Sequence, residues 1–268
     1  MTNGLEALAN MEYPGRFIIL GQSNNSVDNI VVYGVTARSP PSKARIIEQD
    51  GHSILRTEVT DSKVLEQGSP PLLLYPAVVP LEDVMLVSNG AQTNLLYTSF
   101  MNKKNLPLST PELILWEAFK QPHYVYDKKL GWIDITSYEP DGPNNTARIS
   151  AVAGKMHGAF HIVRCVNGKK EEKIHSVFFK TGEGRMIATY AGQNVNPLPP
   201  YVAEPALVQL PFDTAAQTAR AVYDALAPND LTDPAKDYRV AVAAVFFNTE
   251  TGKSEVAILN RHDLNGGK

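Results

Sequence analysis

Guanidiniums at Arg16, Arg38, Arg45 and Arg148 recur in this chain beside apolar, strand-like runs, together with hydrogen-bonding side chains at Tyr75, Asn89, Gln92, Asn94 and Glu139. Lys43 adds an ammonium to the stretch Arg38-Ser39-Pro40-Pro41-Ser42-Lys43-Ala44-Arg45. The run Val84-Met85-Leu86-Val87 breaks into Ser88-Asn89-Gly90, a turn expected to adopt positive φ. The spacing of Leu95, Leu96, Ser99 and Phe100 predicts a helix after it. Such a turn aims the Gly90 N–H and amide side chains at one spot. A single phosphate in a local pocket would suit this set, and loops held on a scaffold are where binding residues concentrate.

The elements that must position them are drawn from ordinary globular material. Of 268 residues, 43% are hydrophobic, 20% charged and 8% aromatic, enough for one large domain or two small ones with a substantial core. A net charge of −3 leaves no basic stripe to neutralise many phosphates, which argues against nucleic-acid binding. The longest apolar runs, 240–247 and 72–79, fall short of the ~20 residues a spanning helix needs. Met1 to Asn10 lacks the basic start and apolar core of a signal peptide. No membrane association is therefore expected, and the chain is placed in the cytoplasm. The single cysteine, Cys165, excludes an intrachain disulfide and any multi-cysteine metal site, and its alternating surroundings read as core.

Along the chain, residues 1–11 read as a flexible N-terminal arm and 12–268 as one domain, since no linker or internal repeat divides it. Arg16–Leu20 and Ile30–Thr36 read as strands joined by a polar turn. Pro40-Pro41 is expected to exclude helix, and Pro76 to stop one continuing through Leu72-Leu73-Leu74-Tyr75. A helix over Thr93–Met101 precedes a second one ending at Phe119, capped either by Ser109 with Glu112 or by Thr110 with Pro111. Strands then follow at Ile149–Ala153, Ala159–Val166, Lys173–Phe179 and Met186–Ala191, with a tight turn at Asn167-Gly168. The proline-rich stretch 194–211 should wrap the surface. Asp213 should cap a helix with Ala215, Ala219, Val222 and Leu226 on one face, and Tyr238–Asn248 with Glu255–Asn260 should close a hairpin. Antiparallel strand groups with inserted helices predict an α+β layered fold, not alternating βαβ units.

Several motif-like patterns fail on context. Thr251-Gly252-Lys253-Ser254 ends like a phosphate-binding loop, but Phe247 stands where the first glycine should be and a hairpin replaces the strand-to-helix junction. His157 and His161 have metal-ligand spacing for a helix, yet their sequence is strand-like and no third ligand is near, so they read as structural. No Gly-x-Ser-x-Gly elbow exists.

Taken in order, Gly15-Arg16, Ala37-Arg38-Ser39 with its basic followers, Tyr75 thirteen residues before Ser88-Asn89-Gly90, and Tyr138-Glu139 followed by Asn145-Thr146-Ala147-Arg148-Ile149 resemble the archaeal-type IMP cyclohydrolase family. The resemblance runs from about Tyr13 to Ser150, with echoes at Thr189-Tyr190, Val245-Phe246-Phe247-Asn248 and Asn260-Arg261. Where archaeal members carry His and Asp after the turn, this chain has Gln92 and Asn94. The family implies a four-layer αββα fold like that of the N-terminal nucleophile hydrolases, without their nucleophile. It also implies closure of 5-formamidoimidazole-4-carboxamide ribonucleotide to inosine monophosphate, and a symmetric homo-oligomer.

That reaction asks a weakly nucleophilic carboxamide nitrogen to attack a formyl carbon, so proton transfer and oxyanion stabilisation should dominate and no metal or organic cofactor is required. The resemblance assigns the substrate phosphate to Arg16, Arg38, Arg45 or Lys43, with Asn89, Gly90, Gln92, Asn94 and Arg148 completing substrate binding. Tyr75 would transfer the proton, a phenol of ordinary pKa ~10 that arginines would lower. Glu139 would orient it or take the amide proton itself. Without the family, Tyr75 reads as a core aromatic and Glu139 as a loop carboxylate paired with Arg148. Two other functions compete: a non-catalytic purine-nucleotide-binding protein, with Gln92 and Asn94 marking a lost site, and an amidohydrolase using Thr2 after removal of Met1.

Overall fold

The computed structural model describes residues 4–105, 109–228, 232–264 and 266. Among them, strands paired antiparallel throughout outnumber helices of more than one turn, a mixed fold built mostly from sheet. The first half supplies β1 (Arg16–Gln22), β2 (Asp28–Thr36), β3 (Arg45–Gln49), β4 (Leu55–Val59), β5 (Tyr75–Pro80) and β6 (Met85–Ser88). Helices α1 (Thr93–Lys103) and α2 (Pro111–Phe119) follow, then a separate hairpin of β7 (Tyr124–Asp127) and β8 (Gly131–Asp134). The second half contributes β9 (Arg148–Ala153), β10 (His157–Val166), β11 (Lys169–Phe178), β12 (Glu183–Ala188), β13 (Ala206–Gln209), α3 (Ala215–Ala225), β14 (Arg239–Asn248) and β15 (Ser254–Asn260). One six-stranded sheet runs β13-β12-β1-β2-β14-β15, and a seven-stranded sheet runs β11-β10-β9-β6-β5-β4-β3.

The period-two alternation of the strands decides what each face touches. Met85 and Val87 of β6, Ile149 and Ala151 of β9, and Phe160 and Ile162 of β10 share one core with Phe17, Ile19, Val32 and Val245 of the six-stranded sheet. Their alternates Leu86, Val152, Ala159 and Val163 face the other way, onto Leu96 of α1 and Ile114, Leu115, Ala118 and Phe119 of α2. The opposite side of the six-stranded sheet receives α3, which packs on β14 and β15. Buried between these layers, β1, β2 and β14 are apolar at nearly every position instead of alternating. Phe17 lies across Gly34 in the β1–β2 pair, its ring filling the space a Cβ would take.

Most expected elements appear within a few residues of their predicted ends. Asn167 and Gly168 both take positive φ and turn β10 into β11. Thr110, not Ser109, caps α2, accepting from Leu113 N at 3.3 Å. Thr214 caps α3 in place of Asp213, accepting from Gln217 N. Pro40-Pro41 opens a single helical turn, Pro40–Lys43, instead of excluding one, because the first turn of a helix needs no N–H from those positions. Leu5 and Leu8, expected in a flexible arm, are buried beside β13 and α3. Thr2 lies outside the described residues. No described helix is long and apolar enough to cross a membrane.

Candidate active site

Arg16, Arg45, Tyr75 and Arg148 are each the first residue of a strand, β1, β3, β5 and β9. Antiparallel pairing sets the start of one strand beside the end of its neighbour: Arg16 opposes Val35, Tyr75 opposes Thr57, and Ser88, the last residue of β6, opposes Ser150. The four side chains are thus delivered by rigid sheet instead of by free loops. Gly15 fixes the entry of Arg16. At φ 75° it brings its N–H 3.0 Å from Thr36 Oγ1, and a Cβ there would fall 2.1 Å from Thr189 Oγ1.

Arg16 Nη2 pairs directly with Glu139 Oε1, and Arg148 Nη1 lies 4.0 Å from the same oxygen. All three are buried, Arg148 to 1% exposure. Burial works against the Arg16 charge, but the Glu139 carboxylate and, after it, the phenols of Tyr75, Tyr190 and Tyr33 together outweigh it and hold the guanidinium well above its ordinary value. Arg148 goes the other way: burial dominates, Arg16 adds repulsion, and Glu139 offsets only part. The difference matches the contacts, since Arg148 has no acceptor for Nε or Nη2.

Arg148 Nη1 donates to Gln92 Oε1 at 3.1 Å, Gln92 Nε2 donates to Asn89 Oδ1 at 2.9 Å, and Asn89 Nδ2 donates to Ala147 O at 2.9 Å. Asn89 Oδ1 also accepts from Ile149 N at 2.9 Å. The turn after β6 therefore recognises the start of β9 and props Arg148 behind Glu139. Gly90 does not take the positive φ expected of it. Its requirement is space, because a Cβ would stand 2.5 Å from both Arg148 Nη1 and Gln92 Oε1.

Tyr75 OH lies 2.8 Å from Tyr33 OH, and Arg45 Nη1 donates to the Tyr75 oxygen at 3.4 Å. Tyr75 is 4% exposed. In front of this layer opens a cleft of about 750 Å³, lined among others by Tyr13, Arg16, Arg38, Arg45, Glu139 and Tyr190. Arg38 holds Asn194 Oδ1 at 3.0 Å and places its guanidinium over the Tyr13 ring at 5.0 Å. Arg45, not Lys43, is the second basic residue of its loop in the cleft wall; Lys43 Nζ sits 5.8 Å from the Tyr238 ring. Asn89 and Gln92 are fully buried in the backing layer, and Asn94 is exposed on α1 away from the cleft lining.

Sequence reading missed Tyr33, buried behind the cleft, and Asp141 with the side chains beside it in the wall. Thr146 bonds both Asp141 and Tyr190, whose hydroxyl is pushed upward in pKa by burial, with Arg16 opposing. Burial, and then Glu139, raises the Asp141 carboxyl. Thr146 and Tyr190 lie inside stretches already singled out, whereas Tyr33 sits in an apolar strand that signals only core. Among the described residues no group of three or more His, Cys, Asp or Glu gathers as metal ligands would. His161 bonds Glu172 at 2.9 Å and His157 bonds Glu112 at 3.2 Å, both from strand β10.

A family model described as IMP cyclohydrolase-like protein matches residues 13–114 and 131–250. The matched spans contain every strand-initial residue of the site. No curated protein matches the chain.

Proposed function

The chain belongs to the IMP cyclohydrolase-like family, and from that premise we propose that it closes 5-formamidoimidazole-4-carboxamide ribonucleotide to inosine monophosphate with loss of water. The observation that carries the reading is the convergence of Arg16, Arg38, Arg45 and Glu139 on one cleft, with Tyr75 hydrogen-bonded directly behind Arg45. Arg38 and Arg45 present guanidinium forks to the 5′-phosphate. Arg16 is already engaged by Glu139, so it orients the carboxylate and faces the base.

In the reaction the carboxamide nitrogen attacks the formyl carbon, a C–N bond forms, and the former carbonyl oxygen gains a proton. The attacking nitrogen gives up one proton. The C–O bond of that intermediate then breaks as the former formamide nitrogen loses its proton and forms the new C=N bond, and the hydroxyl takes a second proton and leaves as water. Tyr75 supplies the first proton, and Glu139, fixed by the two guanidiniums, accepts the one leaving the attacking nitrogen and returns it to the departing hydroxyl, while the formamide proton restores Tyr75. The backing chain Asn89–Gln92–Arg148 keeps Glu139 in register. Gln92 thus has a definite role here, which favours an active enzyme over a non-catalytic nucleotide binder. We read helices α1 and α2, the two sheets, and α3 as the layers of an αββα sandwich like that of N-terminal nucleophile hydrolases, and 12–268 as one such domain; the packing of α1 and α2 on one sheet and α3 on the other supports this. A cytoplasmic homo-oligomer completes the reading.

The test is ultraviolet detection of inosine monophosphate formed from the formamido ribotide by purified protein without added metal. Product formation supports the reading; nucleotide binding in a thermal-shift assay with no turnover would replace it with the non-catalytic alternative.

A further inference from the structure

Tyr33 lies in the middle of β2, between Ile18 of β1 and Ala243 of β14, and its side chain has no exposure to solvent. Among the described residues its hydroxyl has one hydrogen-bond partner, the hydroxyl of Tyr75, which begins a strand of the other sheet. Either oxygen could donate, but the surroundings decide between them. Were Tyr33 the acceptor, its own proton would be buried with nothing to receive it, which a folded protein avoids. Burial, then the neighbouring Tyr75, also keeps the Tyr33 phenol protonated far above the ordinary range. Tyr33 is therefore the donor. Arg45 Nη1 can only donate, and it addresses the same Tyr75 oxygen. Both partners of Tyr75 give it protons and neither takes one, so among the described residues the Tyr75 O–H has no acceptor. Arg16 and Arg148, which also lie within electrostatic reach of Tyr75, are donors as well.

We propose that Tyr33 is a positioning residue for ring closure: by donating to Tyr75 across the two sheets, it turns the Tyr75 O–H toward the bound ribotide and stays to hold the oxygen once that proton has gone. The inference rests on the cyclohydrolase reading and adds to it a residue that never touches substrate. In the transfer, the Tyr75 O–H bond breaks, the proton passes to the former formyl oxygen, and the electron pair remains on a phenolic oxygen already facing the Tyr33 hydroxyl and the Arg45 guanidinium. No donor need reorganise at that moment.

The experiment is a double-mutant cycle in the ring-closing assay with Tyr33→Phe, Tyr75→Phe and the double variant, each checked for folding by thermal melting and for inosine monophosphate binding by thermal shift. Tyr33→Phe should lower kcat about tenfold with KM nearly unchanged, the scale of one lost orienting hydrogen bond. In the Tyr75→Phe background the same substitution should do nothing further, because Tyr33 acts only through Tyr75. Equal losses in both backgrounds, or an unaltered kcat in folded Tyr33→Phe, would overturn the role of Tyr33 while leaving the reaction standing. No ring closure by the wild-type protein would overturn the reaction itself. If Tyr33→Phe folds poorly, Tyr33→Trp and the hydroxyl-proton NMR signal of Tyr33 in the wild-type protein replace it: a slowly exchanging signal lost in Tyr75→Phe supports the bond, and its absence removes it.

Discussion

Arg148 and Gln92 meet at 3.1 Å where neither is accessible to water, and this contact joins the turn after β6 to the first residue of β9. Truncating Gln92 to Ala strands an Arg148 N–H and takes one of two donors from the Asn89 carbonyl, a loss of about 1–3 kcal/mol in urea unfolding. Ring closure should slow with it, as Arg148 loses its prop behind Glu139. Asn94→Ala, two residues on and exposed, should stay within about 0.5 kcal/mol and leave turnover unchanged. Equal effects of the two substitutions would dissolve the distinction between the backing layer and the helix surface.

Glu139→Gln removes the one negative charge shared by two buried guanidiniums. Leaving Arg16 unpaired should cost about 3–5 kcal/mol, visible as a lower melting temperature, and ring closure should be lost. A variant of wild-type stability would mean that Arg16 finds another acceptor or water.

Arg38 and Arg45 should separate in kinetics. On the proposed reading Arg38→Ala should raise KM about tenfold with kcat preserved, since its guanidinium, held by Asn194 and the Tyr13 ring, would meet only the ligand's anionic end. Arg45→Ala should lower kcat as well, because it also removes a donor from the Tyr75 oxygen. Steady-state kinetics on the two variants decides it, and identical profiles would place both in simple phosphate binding.

His161 provides a pH test of the fold. Burial, opposed by the hydrogen bond His161 donates to Glu172, lowers its pKa below the unfolded value of about 6.5. The unfolded chain then binds more protons, so stability from this group is complete above about pH 6.5 and is lost as pH falls from there through the folded-state value. The Glu172 carboxyl, lowered chiefly by the His161 hydrogen bond, acts in the same direction at more acidic pH. Urea unfolding at pH 7.5 and 5.5 should show a difference that shrinks in His161→Gln, and an unchanged difference would assign the acid sensitivity elsewhere.

The three strand-initial arginines were legible in the sequence because each opens an apolar run, at Arg16-Phe17, Arg45-Ile46 and Arg148-Ile149, whereas Tyr75 follows Leu72-Leu73-Leu74 and marks no such change. Tyr33 was not, since a tyrosine inside Ile30–Thr36 reads as core and its partner lies in a different sheet. Pairing across sheets leaves no trace in local periodicity. The Gly90 turn was located correctly but for the wrong cause: propensity suggested a backbone sign, whereas the side chains of Arg148 and Gln92 impose a volume limit. The β7–β8 hairpin escaped notice because its outward Tyr124, Tyr126 and Trp132 break the apolar-in, polar-out rule.

Placing the working groups at strand starts also tells which parts of the chain can vary in length. The connections 23–27, 81–84, 154–156 and 249–253 lie at the far ends of β1–β2, β5–β6, β9–β10 and β14–β15. Epitopes, reporter peptides or relocated termini grafted there would leave the rim of the cleft untouched, whereas one residue inserted within β1 or β9 would swing Arg16 or Arg148 to the opposite face.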